Sequence, residues 1–379
     1  MTVKYKPKTC VWEITFKCNV NCIHCGSDCS SVEKEYQLTT PECFEIIEDL
    51  ADIGCETVVL SGGEPLMRKD IGAIAIMIKR LGMKVAFISN GYLVNEETIK
   101  LIKAINPVAF GISIDAADGY LHDYIRGKKG TFEHVEKAIK LLHQNGIQPS
   151  IVSTIHKLNF DQLPKIRDFL IKNKVKLWQI QYGDHIGRMP KETMLTEAQF
   201  LEVAKFILNT REKYSKYFEN VSGADVFGYL GELGTKLQGP WWGCHAGLRA
   251  VGLGSDGTVR GCLSLQLDQF IEGNTRERSL KEIWNDRTAF AYNRRFNCSM
   301  LTGYCKTCIY AGVCKGGCVR SASIEGGRCN PYCLYKIEKD GFTSKEQSKV
   351  NFTKEELFMI YNPIRELPKE FINKKKGGE

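Results

Sequence analysis

The sequence predicts an α/β protein: a partial, TIM-like (β/α)6 barrel followed by a cysteine-rich C-terminal extension. Three observations carry this reading. Short apolar segments alternate with amphipathic ones six times between residues 10 and 181, the pattern of a parallel sheet covered by helices. Six units are too few to close an eight-fold barrel, so the sheet should curl and stay partly open, with its reactive groups at the C-terminal ends of the strands. The 16 cysteines sit at the two ends of the chain, with a cysteine-free middle between Cys55 and Cys244. That distribution suggests two metal-bearing modules with ordinary protein between them.

The elements follow in order. Residues 10–15 (CVWEIT) read as a short β-branched and aromatic strand, and a cysteine loop comes next. Thr40-Pro41 marks a helix start, a capping Thr with Pro at the first helical position, and that helix runs to about residue 53. Strands are expected over 57–61, 84–89, 108–114, 150–155 and 176–181, and helices over 70–81, 95–105, 131–144 and 161–172. The 131–144 helix sets Phe132, Val135, Ala138, Ile139 and Leu142 at helical spacing. After residue 190 the pattern changes. Thr196 to Gln199 is a capping box opening a helix to about residue 217. Residues 222–243 are glycine-rich and irregular and end near Trp241-Trp242, read as packing under the extension. Residues 251–262 look like a hairpin around Ser255-Asp256-Gly257, and Ser279 to Glu282 caps another helix. Residues 298–333 have little regular structure of their own and must be held by their ligands. A last helix starts at Thr353, and 374–379 is a frayed, solvated tail. The expected divisions are a barrel over 1–190, a helical bridge over 191–243, a cysteine-rich module over 244–340, and a terminal helix and tail over 341–379.

Composition excludes several classes. Hydrophobic residues at 43% and charged residues at 25% rule out a mostly disordered chain. A net charge of +8, spread along the chain, does not call for nucleic acid. The longest apolar run, 71–78, is far short of a membrane span, and residues 1–9 hold no apolar signal-peptide core. A cytoplasmic, reducing setting is expected, which makes a disulfide framework the poorer reading of the cysteines.

Cys18, Cys22 and Cys25 lie in the loop after the first strand. Three thiolates within eight residues can converge on one small cluster, but a tetrahedral zinc site would need a fourth ligand, such as His24 or Cys29. On a four-iron cluster, three cysteines leave one iron open to nitrogen and oxygen donors, and the cluster can deliver one electron at low potential. This CxxxCx-aromatic-C loop resembles that of radical S-adenosylmethionine (radical SAM) enzymes, with His24 where the family usually has an aromatic residue. Three more segments match in register. Ser61-Gly-Gly-Glu-Pro65 ends the second strand and is similar to the family's GGEP segment, Ser89-Asn90-Gly91 ends the third, and Ser113-Ile-Asp115 ends the fourth, with His122 to Arg126 beyond it. The resemblance implies that His24, Gly62, Gly63, Glu64, Pro65, Asn90, Ser113, Asp115 and Arg126 bind SAM. The GGEP segment would receive the methionine amino group, where absent side chains let backbone approach a ligand. Ser113, Asp115 and Arg126 would face the ribose and carboxylate. It further implies one-electron cleavage of SAM to methionine and a 5′-deoxyadenosyl radical, with an oxygen-labile cluster and an anaerobic setting.

Near the C-terminus, Cys305-x2-Cys308-x5-Cys314-x3-Cys318 follows Cys244 and a Gly257-x4-Cys262 segment, and Cys329 and Cys333 come after. This run resembles the SPASM domain, an extension that carries auxiliary [4Fe–4S] clusters. Gly312, Gly316 and Gly317 would let the backbone turn tightly there. The resemblance implies an outer cluster on Cys305, Cys308, Cys314 and Cys333, the last preferred to Cys329. It implies an inner one on Cys244, Cys262 and Cys318, with an open iron or with Cys298 as fourth ligand. A zinc ribbon suits this spacing poorly.

Other residues read as structural: Cys10, Cys43 and Cys55 as buried thiols, Trp178 as barrel wall, and His156, His185 and His245 as surface or core. Cys29 reads first as a neighbour of the cluster and second as a hydrogen donor or substrate contact. The two-module resemblance implies a maturase for a ribosomally made precursor peptide, forming a crosslink or related oxidation. Because 17 residues precede Cys18, either a separate leader-peptide-binding protein would assist or the leader would bind elsewhere, and flavodoxin or ferredoxin would donate electrons. The alternatives are radical modification of a tetrapyrrole or other small molecule, and a non-enzymatic iron–sulfur or zinc scaffold.

Overall fold

The computed structural model describes residues 5–30, 36–239, 241–323 and 327–340. Among the described residues, ten strands form one open sheet: β1 (Thr9–Glu13), β2 (Thr57–Ser61), β3 (Lys84–Ser89), β4 (Ala109–Ser113), β5 (Ser150–Ile155), β6 (Leu177–Tyr182), β7 (Asn220–Gly223), β8 (Ala250–Leu253), β9 (Thr258–Arg260) and β10 (Gly273–Asn274). Their order is β10-β9-β8-β1-β2-β3-β4-β5-β6-β7, so the sheet ends at β10 and β7 and does not close. The six expected strands form its centre in sequence order, and each pairs in parallel with the next. Their helix-facing residues, among them Trp12, Leu60, Phe87, Phe110, Ile112, Ile151 and Trp178, are buried between the sheet and its helices. Each such side chain contributes about 1.5–3 kcal/mol by leaving water.

Two further strands lengthen the parallel array. β7 lies beside β6, in a segment whose start was expected to be irregular. It has one large apolar residue, Val221, so no alternation marks it; the open edge of β6 supplies the hydrogen bonds. The expected hairpin is present as antiparallel β8 and β9, but β8 also pairs in parallel with β1. The extension is thereby joined to the barrel's sheet. Side chains reinforce the joint: Trp284 Nε1 donates to the Tyr5 carbonyl, and Arg276 Nε reaches Glu42 at 2.6 Å.

The helices that cover the sheet are α1 (Thr40–Asp52), α2 (Ile71–Arg80), α3 (Glu96–Ile105), α4 (Gly119–Arg126), α5 (Thr131–Gln144), α6 (Leu163–Lys172), α7 (Glu197–Lys213) and α8 (Glu232–Gln238). Thr39, not Thr40, caps α1, through a capping box with Glu42. Thr40 instead donates to Asp70 at 2.6 Å. The box at Thr196 and Gln199 opens α7 as expected, and a 3₁₀ turn over Phe160–Gln162 precedes α6. Helix α4 had no expectation, because its buried face holds His122 and Arg126 beside Ile125 and so lacks an apolar stripe.

In the extension, α9 (Leu280–Asn285) starts at the Ser279–Glu282 capping box, and short turns of helix separate the cysteines. Trp241 is buried as expected, but Trp242 is 70% exposed and packs under nothing. The helix expected from Thr353 and the tail over 374–379 lie outside the described residues. Among the described residues, no helix is long and apolar enough to cross a membrane.

Candidate active site

The loop after β1 brings Cys18, Cys22, Cys25 and Cys29 into one small buried group, with no disulfide. Three neighbouring segments fasten the loop by its backbone. From the end of β2, Gly63 N–H donates to the Thr15 carbonyl at 2.7 Å and Glu64 N–H to that of Lys17 at 2.9 Å. From α4, the Ile125 and Arg126 carbonyls accept Ile23 N–H and Asn21 N–H at 2.9 and 3.1 Å. From beyond β6, Arg188 donates to the carbonyls of Cys22 and Cys29 at 3.0 and 2.7 Å. Gly62 and Gly63 are required by the first contact: a Cβ would lie 2.4 Å from the Thr15 oxygen or 2.2 Å from that of Lys17. Their closest approach is therefore to the cysteine loop itself.

A cavity of about 660 Å³ opens over this loop at the C-terminal ends of the strands. Cys18, Cys22, His24, Cys25, Gly62, Gly63, Asn90, Ser113 and Arg126 all line it, as do Cys29, Gln179 and Gln181. Glu64, Pro65 and Asp115 do not line it; they lie buried behind it. The Glu64 carboxylate accepts from Ser89 Oγ at 2.9 Å, Asn90 N–H at 2.8 Å and Leu66 N–H at 3.2 Å, and so fixes the turn after β3. Burial pushes it up to about 7. Asn90 Nδ2 then reaches Asn19 Oδ1 at 2.7 Å and stands 3.9 Å from Cys18 Sγ. Asp115 accepts Thr154 N–H at 2.9 Å through one oxygen, while the other lies 2.7 Å from the Arg126 guanidinium and 3.4 Å from His24 Nε2. The other arm of Arg126 is 3.7 Å from Cys22 Sγ. Burial raises the Cys22 thiol, and Arg126 opposes that rise. Burial also pushes Cys18 up to about 11, whereas a hydrogen bond from Cys29 holds Cys25 below its ordinary value. A metal entering the site must displace protons from these sulfurs.

Of the surface and core roles expected of it, His156 takes the core one. It is fully buried, with its ring centroid 5.5 Å from that of His24 and its ring nitrogens without hydrogen-bond partners. Trp178 forms barrel wall, and its indole N–H donates to Ser153 Oγ at 3.0 Å. Cys10, Cys43 and Cys55 are buried in the main core.

The extension repeats the pattern of convergent thiols. Cys318 donates to Cys244, and Cys262 lies within their electrostatic reach. Cys262 and Cys318 line the same cavity as the N-terminal cysteines, so the two modules share one chamber. Cys305, Cys308, Cys314 and Cys333 surround a second, much smaller cavity. Cys329 does not line it; it pairs with Cys305, and Cys298 is exposed on a 3₁₀ turn. Among the described residues, no three His, Cys, Asp or Glu side chains are drawn in to hold a single metal ion. The donor sets are soft sulfur, grouped and free of disulfides, which fits iron–sulfur clusters. Sequence reasoning missed Arg188 and Tyr229. Arg188 lies 166 residues from Cys22, and no motif joins them.

Residues 12–170 match the radical SAM superfamily, and residues 244–309 match SPASM, an iron–sulfur cluster-binding domain. The chain is 30% identical over 362 residues to the Fe-coproporphyrin III synthase of Methanosarcina barkeri, covering 89% of this chain and 90% of the relative. This protein is a radical SAM enzyme of the SPASM-bearing class. The radical SAM enzyme is also 27% identical over 346 residues to the AdoMet-dependent heme synthase of the same organism, covering 88% and 98% of the two chains. Streptococcus suis SuiB bound to S-adenosylmethionine has the same fold, with a TM-score of 0.70 at 19% identity over 87% of this chain and 77% of its own. Membership brings a SAM-binding [4Fe–4S] cluster and auxiliary clusters as cofactors.

Proposed function

We propose that this radical SAM enzyme removes hydrogen from an aliphatic side chain of a tetrapyrrole. The observation that supports this most is the near full-length relationship to the Fe-coproporphyrin III synthase. The likeness to SuiB, at 19% identity, concerns the fold and has no weight on substrate. The precursor-peptide reading therefore takes second place to its tetrapyrrole alternative.

In this reading Cys18, Cys22 and Cys25 hold the SAM-binding cluster, with His24, Gly62, Gly63, Asn90, Ser113 and Arg126 on the wall of the SAM chamber. Glu64, Pro65 and Asp115 act from behind, holding those groups in place. Cys244, Cys262 and Cys318 hold an inner auxiliary cluster, and Cys305, Cys308, Cys314 and Cys333 an outer one. When bound, the first cluster supplies the single electron that splits the sulfonium C–S bond, and the auxiliary clusters offer a sink for the electron left after C–H cleavage. The chain's own residues do the positioning. Arg126, balanced by Asp115, offers guanidinium donors to a carboxylate in the chamber. Arg320 enters the chamber from the extension, with its Nε 3.6 Å from Asp184, and adds a cation facing the substrate space. The barrel and the extension enclose the chamber between them and shield a carbon radical from water and stray donors. The electron donor is a flavodoxin or ferredoxin.

The test is anaerobic turnover of the reconstituted protein with SAM, dithionite and, in separate reactions, iron coproporphyrin and the more heavily carboxylated iron uroporphyrin, because iron coproporphyrin is by name what the Methanosarcina relative makes. 5′-Deoxyadenosine should form together with a mass change in the porphyrin, and both should vanish when Cys18, Cys22 and Cys25 are replaced by Ala. An unchanged porphyrin beside a crosslinked precursor peptide would overturn the proposal in favour of peptide maturation.

A further inference from the structure

Tyr229 is 1% exposed and lies between the two cysteine groups of the extension. On one side its ring forms part of the wall around Cys305, Cys308, Cys314 and Cys333. On the other it presses on Gly317, the residue before Cys318. A Cβ there would stand 2.7 Å from Tyr229 Cζ, and the backbone already has φ of 73°. The phenol oxygen accepts from Asn330 Nδ2 at 2.6 Å. The orientation of that amide is fixed, because Asn330 Oδ1 accepts the Tyr332 N–H at 2.9 Å. Cys318, Cys314 and Cys333 lie within electrostatic reach of the phenol. One side chain therefore packs its ring on the residue before an inner-set cysteine and bonds its hydroxyl to the loop that ends at an outer-set cysteine. A phenol oxygen that accepts from Asn330 still has its own hydrogen to donate, and the groups within its electrostatic reach are sulfurs of both sets.

We propose that Tyr229 is a positioning residue that links the two auxiliary cysteine sets and whose hydroxyl tunes the reduction potentials of the clusters they hold. This rests on the ligand assignment given above. A hydrogen bond to ligand sulfur stabilises the more negative, reduced cluster and so raises its potential. Losing the hydroxyl should make a cluster harder to reduce, and a more acidic phenol should make it easier.

The experiment uses the full chain with Cys18, Cys22 and Cys25 replaced by Ala, so that only auxiliary clusters load. Iron content and an EPR-monitored redox titration are measured for this parent, for Tyr229→Phe, and for the parent with 3,5-difluorotyrosine at position 229. Tyr229→Phe should retain its iron and move at least one midpoint negative by about a tenfold change in the oxidised-to-reduced ratio, roughly 59 mV for one electron. Difluorotyrosine should move the same midpoint in the positive direction. A purely structural role would change iron content or melting, not produce opposite shifts. Full iron with parental midpoints in Tyr229→Phe overturns the proposal. If the Phe variant does not load, unshifted midpoints with difluorotyrosine overturn it. A parent without iron overturns the ligand assignment itself, and the proposal with it.

Discussion

Arg188 Nε donates to the carbonyl of Cys22 at 3.0 Å, and the same guanidinium reaches the Cys29 carbonyl at 2.7 Å. One side chain from beyond the sixth strand thus holds a loop from after the first. The thiols of that loop are aimed by backbone carbonyls held from outside, not by local turn geometry alone. Replacing Arg188 by Ala removes charged hydrogen bonds from a half-buried site and should cost about 2 kcal/mol. Urea denaturation of the apoprotein measures that loss, and faster iron release to a chelator should accompany it. Lys should not rescue, since a point charge cannot serve two carbonyls in the fixed fork of Arg.

Gly63 and Gly312 form a matched pair of tests. A Cβ at Gly63 would meet the Lys17 carbonyl at 2.2 Å, whereas nothing lies within 4 Å of one at Gly312. Gly63→Ala should destabilise by about 2 kcal/mol or more, because backbone must shift. Gly312→Ala should fall within about 0.5 kcal/mol of the parent. Equal midpoints for the two variants in thermal denaturation would show that the cysteine loop yields more readily than this packing implies.

Cys333 shares the small cavity of Cys305, Cys308 and Cys314, and Cys329 does not. Cys333→Ala should therefore lower iron content by about four atoms per chain, one cluster's worth. Cys329→Ala should leave iron content intact. The opposite result would exchange the two roles.

Glu64 gives a pH dependence. Burial raises its carboxyl from 4.5 to about 7 in the folded chain. Between these values the folded protein keeps a proton that the unfolded chain has lost, so stability falls as pH rises through the window. The loss is at most about 3 kcal/mol. Apoprotein denatured at pH 5 and pH 7.5 should show the decline, and Glu64→Gln should flatten it. An unchanged slope in that variant would assign the effect to another group.

Much of this architecture was legible in one dimension. The central strands and their covering helices announce themselves because each buries one face, which forces apolar residues into fixed spacing. The cysteine loops are equally visible, because ligands to one small cluster must be close in sequence or placed by tight turns. Helix α4 was hidden because its buried face is made of His122 and Arg126, which serve the site and break the apolar pattern. β7 was hidden because a four-residue strand at an edge needs its neighbour more than it needs periodicity.

The sequence by itself determined the class of chemistry: two groups of thiols, glycines where the chain must pass close to itself, and an α/β sheet to carry them. Only the tertiary structure decided which groups meet. It joined β8 to β1, faced Cys262 and Cys318 toward the N-terminal cysteines across one chamber, put Asp115 and Glu64 behind the wall, and brought Arg188 and Tyr229 to thiol-bearing loops far away in the chain. The reason is physical. Periodicity and ligand spacing are local properties, whereas a hydrogen bond to a distant carbonyl leaves no trace in the sequence around either partner.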